Sequence, residues 1–464
     1  MRRVVITESI VGMFERFFAP LVFAARRLGL PQLATAPFCP SEVSGSVVTP
    51  ADAGFWTRLK LALGPGLLVA VGYMDPGNWT TNLQGGAKLG GGLVAVVILS
   101  GLVAIGFQLL AARQGLAAKA DLAKAIRCRW GFRAAFPLWI AMEIAIIATD
   151  VAEVLGAALA FNILFGLALP MGVLVTSLDV FLILGLKGAG FRRIEAIILG
   201  LIALIVSALV INLVLIGGPL GATLAQAAHP VDALRAPNGL FLALGIVGAT
   251  LMPHNLFLHS SVVGTRRDEG GDILRTARWA AFDTGVTLSL AILVNLGLLV
   301  FAALAFHANG LTEIADLQIA TRTLAEGDAG SRAAGIAATI FALGLLASGL
   351  SSTFTGTIVG QVVMEGFLDL KIPCWMRRVI TRGLALVPAF VGVIWLGGDR
   401  VGDLLEASQV ILAVLLPFAL APLILLSGDK KMMGPLVASR WTLLSAWSLF
   451  GVLVAANGLL LWGG

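Results

Sequence analysis

Four side chains of unlike chemistry stand inside apolar stretches of this sequence. Asp75 and Asn78 lie in GYMDPGNW (Gly72–Trp79), and Met252 and His254 in GATLMPHNLFLHS (Gly248–Ser260). Asp75 offers a hard anionic oxygen, and Asn78 a neutral carbonyl oxygen one helical turn later. Met252 adds a thioether sulfur. That mixture suits Mn²⁺ or Fe²⁺, and also Co²⁺, Cd²⁺ or Zn²⁺. Ca²⁺ and Mg²⁺ prefer shells made only of oxygen, so sulfur discriminates against them. The alternative for Met252 is plain packing, the commoner fate of a methionine. A second set is titratable. Asp150 and Glu153 are spaced to share one helix face, and His259 follows His254 by five positions, slightly off its face. Carboxylates and imidazoles held together in an apolar setting can pass a proton. The alternative for Asp150 and Glu153 is a structural polar network tying their helix to another.

The elements that must position these groups are membrane helices. Of 464 residues, 58% are hydrophobic and only 12% charged, with mean hydropathy +0.95. Soluble domains carry roughly 25% charged residues. Eleven apolar stretches are long enough to cross a bilayer as helix, near 61–83, 91–112, 136–161, 164–186, 195–217, 238–262, 284–306, 334–362, 379–396, 404–427 and 441–462. They do not alternate in polarity as the strands of a membrane barrel would.

The net charge of +6 is distributed by topology rather than gathered for nucleic acid. With the N-terminus in the cytoplasm, 27 of the 32 basic residues fall in internal segments, among them Arg377, Arg378 and Arg382. This is the positive-inside pattern, and it predicts a cytoplasmic N-terminus and an external C-terminus. The apolar run PLVFAA (Pro20–Ala25) is too short for a signal peptide. Residues 1–57 therefore read as a flexible cytoplasmic tail and 58–464 as the transmembrane unit. Cys39, Cys128 and Cys374 all fall in cytoplasmic segments, where structural disulfides are not expected.

Asp75-Pro76 interrupts the first span, and Met252-Pro253 the sixth. Proline removes a backbone donor and frees carbonyls that lipid cannot satisfy. If spans one to five and six to ten form two repeats, about 61–217 and 238–427, the breaks occupy corresponding positions. Five helices per repeat invert the second relative to the first, and 441–462 is then an extra helix. Paired broken helices point to a midplane site in a secondary transporter. An intramembrane metalloenzyme lacks support, since no HExxH motif occurs. An ion channel lacks a repeated filter sequence. An amino-acid symporter of similar build would hold a carboxylate on backbone amides, whereas Asp75 and Met252 favour a cation.

The two broken segments resemble spans one and six of the Nramp family, proton-coupled transporters of divalent transition metals. The same holds for EIAIIATDVAEVLGAA (Glu143–Ala158), SSTFTGTIVGQVVMEG (Ser351–Gly366), WMRRVIT (Trp375–Thr381) and ASQVILA (Ala407–Ala413). DPGN paired with MPH is highly specific, and the likeness runs from about residue 60 onward. The resemblance implies an all-α, LeuT-like fold of two inverted five-helix repeats with spans one and six broken, plus an eleventh helix. It implies import of Mn²⁺ or Fe²⁺ coupled to proton entry, by a monomer in a bacterial inner membrane, with no resident cofactor. It adds the main-chain carbonyls of Gly72 and Ala249 as ligands, and Gln409 in one conformational state. It also implies a proton route from Asp75 through His254, Asp150 and Glu153 towards the cytoplasm. His259 lies on the same helix as His254, and Arg377 and Arg378 line the inner end of the route.

Overall fold

The computed structural model describes residues 43–179, 181, 190–312, 332–370, 374–397 and 400–462. Among them are nine helices long and apolar enough to cross a membrane. The first expected span is not among the nine; it is described as two half-helices, Pro65–Gly72 and Pro76–Leu89. The fourth is described at its start, Leu169–Thr176, while 182–189 lie outside the described residues, as do 1–42 of the expected tail.

Several helices run further than hydropathy indicates. Span three covers Phe132–Phe165, span seven Ile273–Ala305, span eight Arg332–Leu368 and span nine Cys374–Leu396. Their additional turns carry polar residues, which a hydropathy window excludes although they fit a helix well. The start of span nine corrects the topology count. Arg377, Arg378 and Arg382 are not loop charges but helical residues, all buried.

Span three is the spine. Span eight packs along it, with spans nine and ten against other faces and span five outside span eight. Ala145, Ala148, Ala152, Ala157, Ala158 and Ala160 of span three are buried, and such small side chains let helices approach closely where no hydrophobic force drives them together. Span seven covers both halves of span one. Span eleven, Arg440–Trp462, leans on span ten, Val401–Ser427. Pro417 cannot donate to the carbonyl four residues back, and Asn457 of span eleven supplies that donor, Nδ2 to Ala413 O at 2.7 Å.

A short strand precedes span one. β1 (Val47–Thr49) pairs in parallel with β2 (Arg266–Asp268), which follows span six, with Val47 opposite Arg266 and Thr49 opposite Asp268. Two strands alone are marginal. Burial of Val43 and Val47 adds to this pair, and Arg58 clasps the turn after β1, donating to Ala53 O at 2.8 Å and Ala51 O at 2.6 Å.

Candidate functional site

Both breaks use the same local device. The residue before proline is extended and caps the second half-helix, Asp75 at ψ 167° and Met252 at ψ 122°, with proline in the first turn. Proline fits there because the first N–H of a helix has no partner in any case. The Asp75 carboxylate accepts the backbone N–H of Asn78 at 2.9 Å, the usual N-cap bond.

The carbonyls freed by the first break are each met by a side chain. Tyr73 O accepts from Asn295 Nδ2 at 2.7 Å. Met74 O accepts from Trp79 Nε1 at 3.1 Å and Ser348 Oγ at 2.6 Å. Gly72 O accepts from Asn78 Nδ2 at 3.3 Å. The same amide nitrogen donates to Asp75 Oδ1 at 2.7 Å and reaches Ala249 O, in the other broken helix, at 3.0 Å. Four of the expected site residues thus converge on one point. Three oxygens surround an NH₂ group that has two hydrogens, so one acceptor is always short. Asp75 Oδ2 and Asn78 Oδ1 are buried and unpartnered among the described residues.

Gln409 reaches the same neighbourhood from span ten. A Cβ on Gly77, two residues past Asp75, would overlap the Gln409 amide, so glycine is required for this approach. The Gln409 Nε2 donates to Ser408 Oγ at 2.8 Å, while Oε1 is buried and unpartnered among the described residues. Met252 lies in an apolar pocket with Ala145, Ala148 and Leu412. Its sulfur accepts from Asn255 Nδ2 at 3.6 Å, and Asn255 in turn lies against Gly72.

The titratable residues divide into two groups. Arg378 of span nine donates to Asp150 Oδ1 at 2.7 Å, Glu153 Oε2 at 3.3 Å and Asp179 Oδ2 at 3.0 Å. Arg382 pairs with the same Asp179 oxygen at 2.6 Å and lies 3.7 Å from Glu153 Oε2. Both arginines and all three acids are buried. The network linking spans three and nine is therefore present. His254 is buried within electrostatic reach of Asp150, its Nδ1 unpartnered among the described residues. Arg377 stands apart from this cluster and pairs with Glu143 Oε1 at 2.6 Å, which also accepts from Trp139 Nε1 at 2.9 Å. His259 is in the second group. Its Nδ1 meets Gln108 Oε1 at 3.0 Å, and Gln108 Nε2 donates to the Tyr73 hydroxyl at 2.9 Å, which links span six to the first break through span two.

Sequence reasoning missed Asp179, Arg382, Asn295, Gln108 and Ser348 as members of these networks. Asp179 was detectable, because an acid inside an apolar span asks for a partner. Among the described residues no three His, Cys, Asp or Glu side chains gather as a metal cluster, so the convergent oxygens come from one carboxylate, amides and main chain.

The family model "Natural resistance-associated macrophage protein-like" matches residues 66–463. The "Divalent metal cation transporter MntH 1" of Pseudomonas aeruginosa is 51% identical over 439 residues, covering 94% of this chain and 99% of that protein. A solved structure of the Eremococcus coleocola manganese transporter, bound to an aromatic bis-isothiourea substituted compound, superposes with TM-score 0.82. It is 36% identical, with 90% of each chain covered. The structure of MhsT in complex with L-phenylalanine, 16% identical with TM-score 0.57 over 85% of this chain and 97% of that one, shares the fold alone. The broken pair of helices thus sits in the LeuT-like fold of inverted repeats, and the chain belongs to the Nramp family of transporters.

Proposed function

We propose that this chain imports a divalent transition metal, Mn²⁺ or Fe²⁺, together with protons by alternating access. Co²⁺, Cd²⁺ and Zn²⁺ are further substrates of the same ligand set. The observation that carries the reading is the oxygen focus at the breaks. One amide nitrogen of Asn78 sits where Asp75 Oδ1, Gly72 O and Ala249 O converge. Rotating that amide exchanges nitrogen for oxygen, and the focus becomes four oxygens with one negative charge. Such a focus suits a cation, while an anionic substrate would meet only acceptors. Gln409, which approaches Gly77 from span ten, and the Met252 sulfur complete the ligand set in this reading. The Pseudomonas aeruginosa and Eremococcus coleocola proteins are named as a divalent metal cation transporter and a manganese transporter, which supports the same substrate class.

Protons leave the site through His254 to Asp150 and the Arg378 cluster, while His259 belongs to the Tyr73–Gln108 link between spans one, two and six. Orientation follows from the basic segments. The N-terminus and the β1–β2 pair face the cytoplasm and the C-terminus faces out, in a bacterial inner membrane, with one chain forming the complete path.

Proteoliposomes with Mn²⁺ outside and a pH dye inside test the proposal. Mn²⁺ entry should acidify the lumen. Entry of Mn²⁺ without acidification removes the coupling, and absence of entry from a correctly oriented, folded preparation removes the function.

A further inference from the structure

We infer that Asn255 is a positioning residue for the Met252 sulfur, and that it sets the preference for soft over hard divalent metals. The inference rests on the reading of Met252 as a ligand and goes beyond it. Met252 caps the second half of span six, and Asn255 stands three residues on, in its first turn. Both are 1% exposed. The pocket around the Met252 side chain is apolar, formed by Ala145, Ala148 and Leu412 from spans three and ten. The polar group that the structure gives the sulfur is the Asn255 amide, Nδ2 to Sδ at 3.6 Å, within range for a donor to sulfur.

A thioether sulfur has two lone pairs and, on an unbranched side chain, three rotatable bonds. Left alone in an apolar pocket, it would share its time among rotamers, and few of them would aim a lone pair at the carboxylate and carbonyls of the breaks. An N–H on one lone pair selects the rotamer and leaves the other lone pair free for a metal. The amide is itself held in register, because it packs on Gly72. A Cβ there would overlap Nδ2, Cγ and Oδ1 of Asn255. Gly72 is also the residue whose carbonyl joins the oxygen focus. The hard and soft halves of the site are thereby linked through one amide: Gly72 supplies an oxygen through its main chain and, through its missing side chain, the space that Asn255 occupies. Metals that gain most from sulfur depend on this arrangement, and metals content with oxygen do not.

The test is a double-mutant cycle read as the ratio of Cd²⁺ to Mn²⁺ affinity, measured by calorimetry on the purified full chain. Asn255→Leu keeps the shape and removes the donor. It should lower the preference for Cd²⁺ by ~3-fold or more, the loss expected for one hydrogen bond. Met252→Ala should lower the preference by ~10-fold, and adding Asn255→Leu to it should change nothing further, because the sulfur is gone. Gly72→Ala, which displaces the amide without touching its chemistry, should reproduce the Asn255→Leu effect and serves where that variant does not fold. A preference that falls equally with and without Met252 makes the amide a structural group and overturns the inference. So does an unchanged preference in Asn255→Leu alongside a normal Met252→Ala response. A Met252→Ala variant with wild-type selectivity overturns the ligand reading itself, and this inference with it.

Discussion

Replacing Arg378 by methionine probes the deepest charge cluster in the protein. Its guanidinium contacts Asp150, Glu153 and Asp179 at 2.7, 3.3 and 3.0 Å, and among the described residues only Arg382 shares the load. With all five groups ionised, the cluster carries a formal excess of one negative charge, and Arg378→Met raises that to two. Breaking a buried pair by removing one partner costs about 3–5 kcal/mol. At roughly 2 cal/mol/K of unfolding entropy per residue, a chain of 464 residues gives about 1 kcal/mol/K, so the melting temperature should fall by ~3–5 °C. Arg378→Lys should recover part of this, since one ammonium cannot serve three carboxylates in the plane that a guanidinium fork does. Arg378→Met with Asp150→Asn restores the original charge balance and should recover about half of the loss. Tryptophan-fluorescence melts in detergent report stability, and proton flux in proteoliposomes reports the route. If Arg378→Met melts within 1 °C of wild type, the cluster is not held as ions, and the reasoning fails at its first step.

Other outcomes follow from the same geometry. Asp75→Ala and Asp75→Asn should both abolish Mn²⁺ uptake, because each removes the one charge at the focus. Only alanine also loses the helix cap, worth about 1 kcal/mol, so robust uptake by either variant removes Asp75 as a ligand. His254→Ala should weaken proton movement more than Mn²⁺ affinity measured by calorimetry, and a collapse of affinity with intact proton flux reverses that assignment. Asn457→Leu should cost about 1–3 kcal/mol by stranding the Ala413 carbonyl, and Pro417→Ala in the same chain should restore it by returning an N–H; an additive loss would refute the pairing. Asp121, in the turn between Val94–Ala118 and Leu122–Trp130, has its carboxyl pushed up to about 6 by burial, although it caps Lys124 N at 2.8 Å. Since the folded value lies above the ordinary 3.8, this group favours folding at low pH, and that contribution fades as pH rises through 6. Asp121→Asn keeps the cap, so it should stabilise the chain at pH 7.5 more than at pH 5, and equal melting shifts at both pH values would contradict the assignment.

The spans and both breaks were legible in the sequence because hydropathy and proline act locally. Asp75 and Met252 could be singled out because their types are wrong for lipid. What the sequence hid depends on which helices meet. Arg377 and Arg378 looked like interfacial charges, since a window averaged over apolar residues begins span nine near 379, whereas the helix begins at Cys374. The distinction between Arg377, paired with Glu143, and Arg378, paired with Asp150 and Glu153, is one of helix rotation against span three. No pattern in a single segment specifies that. Likewise Asn295 and Ser348 read as unremarkable polar residues in spans seven and eight. Their purpose appears only when the carbonyls of Tyr73 and Met74 are left open beside them. Asn78 shows the reverse: its type and place were readable, but not that its nitrogen, rather than its oxygen, occupies the focus.

The strand pair has a bearing on biosynthesis. Ser44 and Gly264, which are joined by a hydrogen bond beside the β1–β2 pair, are 220 residues apart. At ~5–20 residues per second, a ribosome needs roughly 10–45 s to travel from one to the other. Through that interval β1 has been made and its partner has not, so a strand made early takes part in one of the later contacts to close. It closes only after the second broken helix has entered the membrane far enough to present Arg266–Asp268. A nascent chain in which span six stalls therefore leaves β1 without the strand it pairs with, and the order of synthesis makes this contact a late check on the placement of span six.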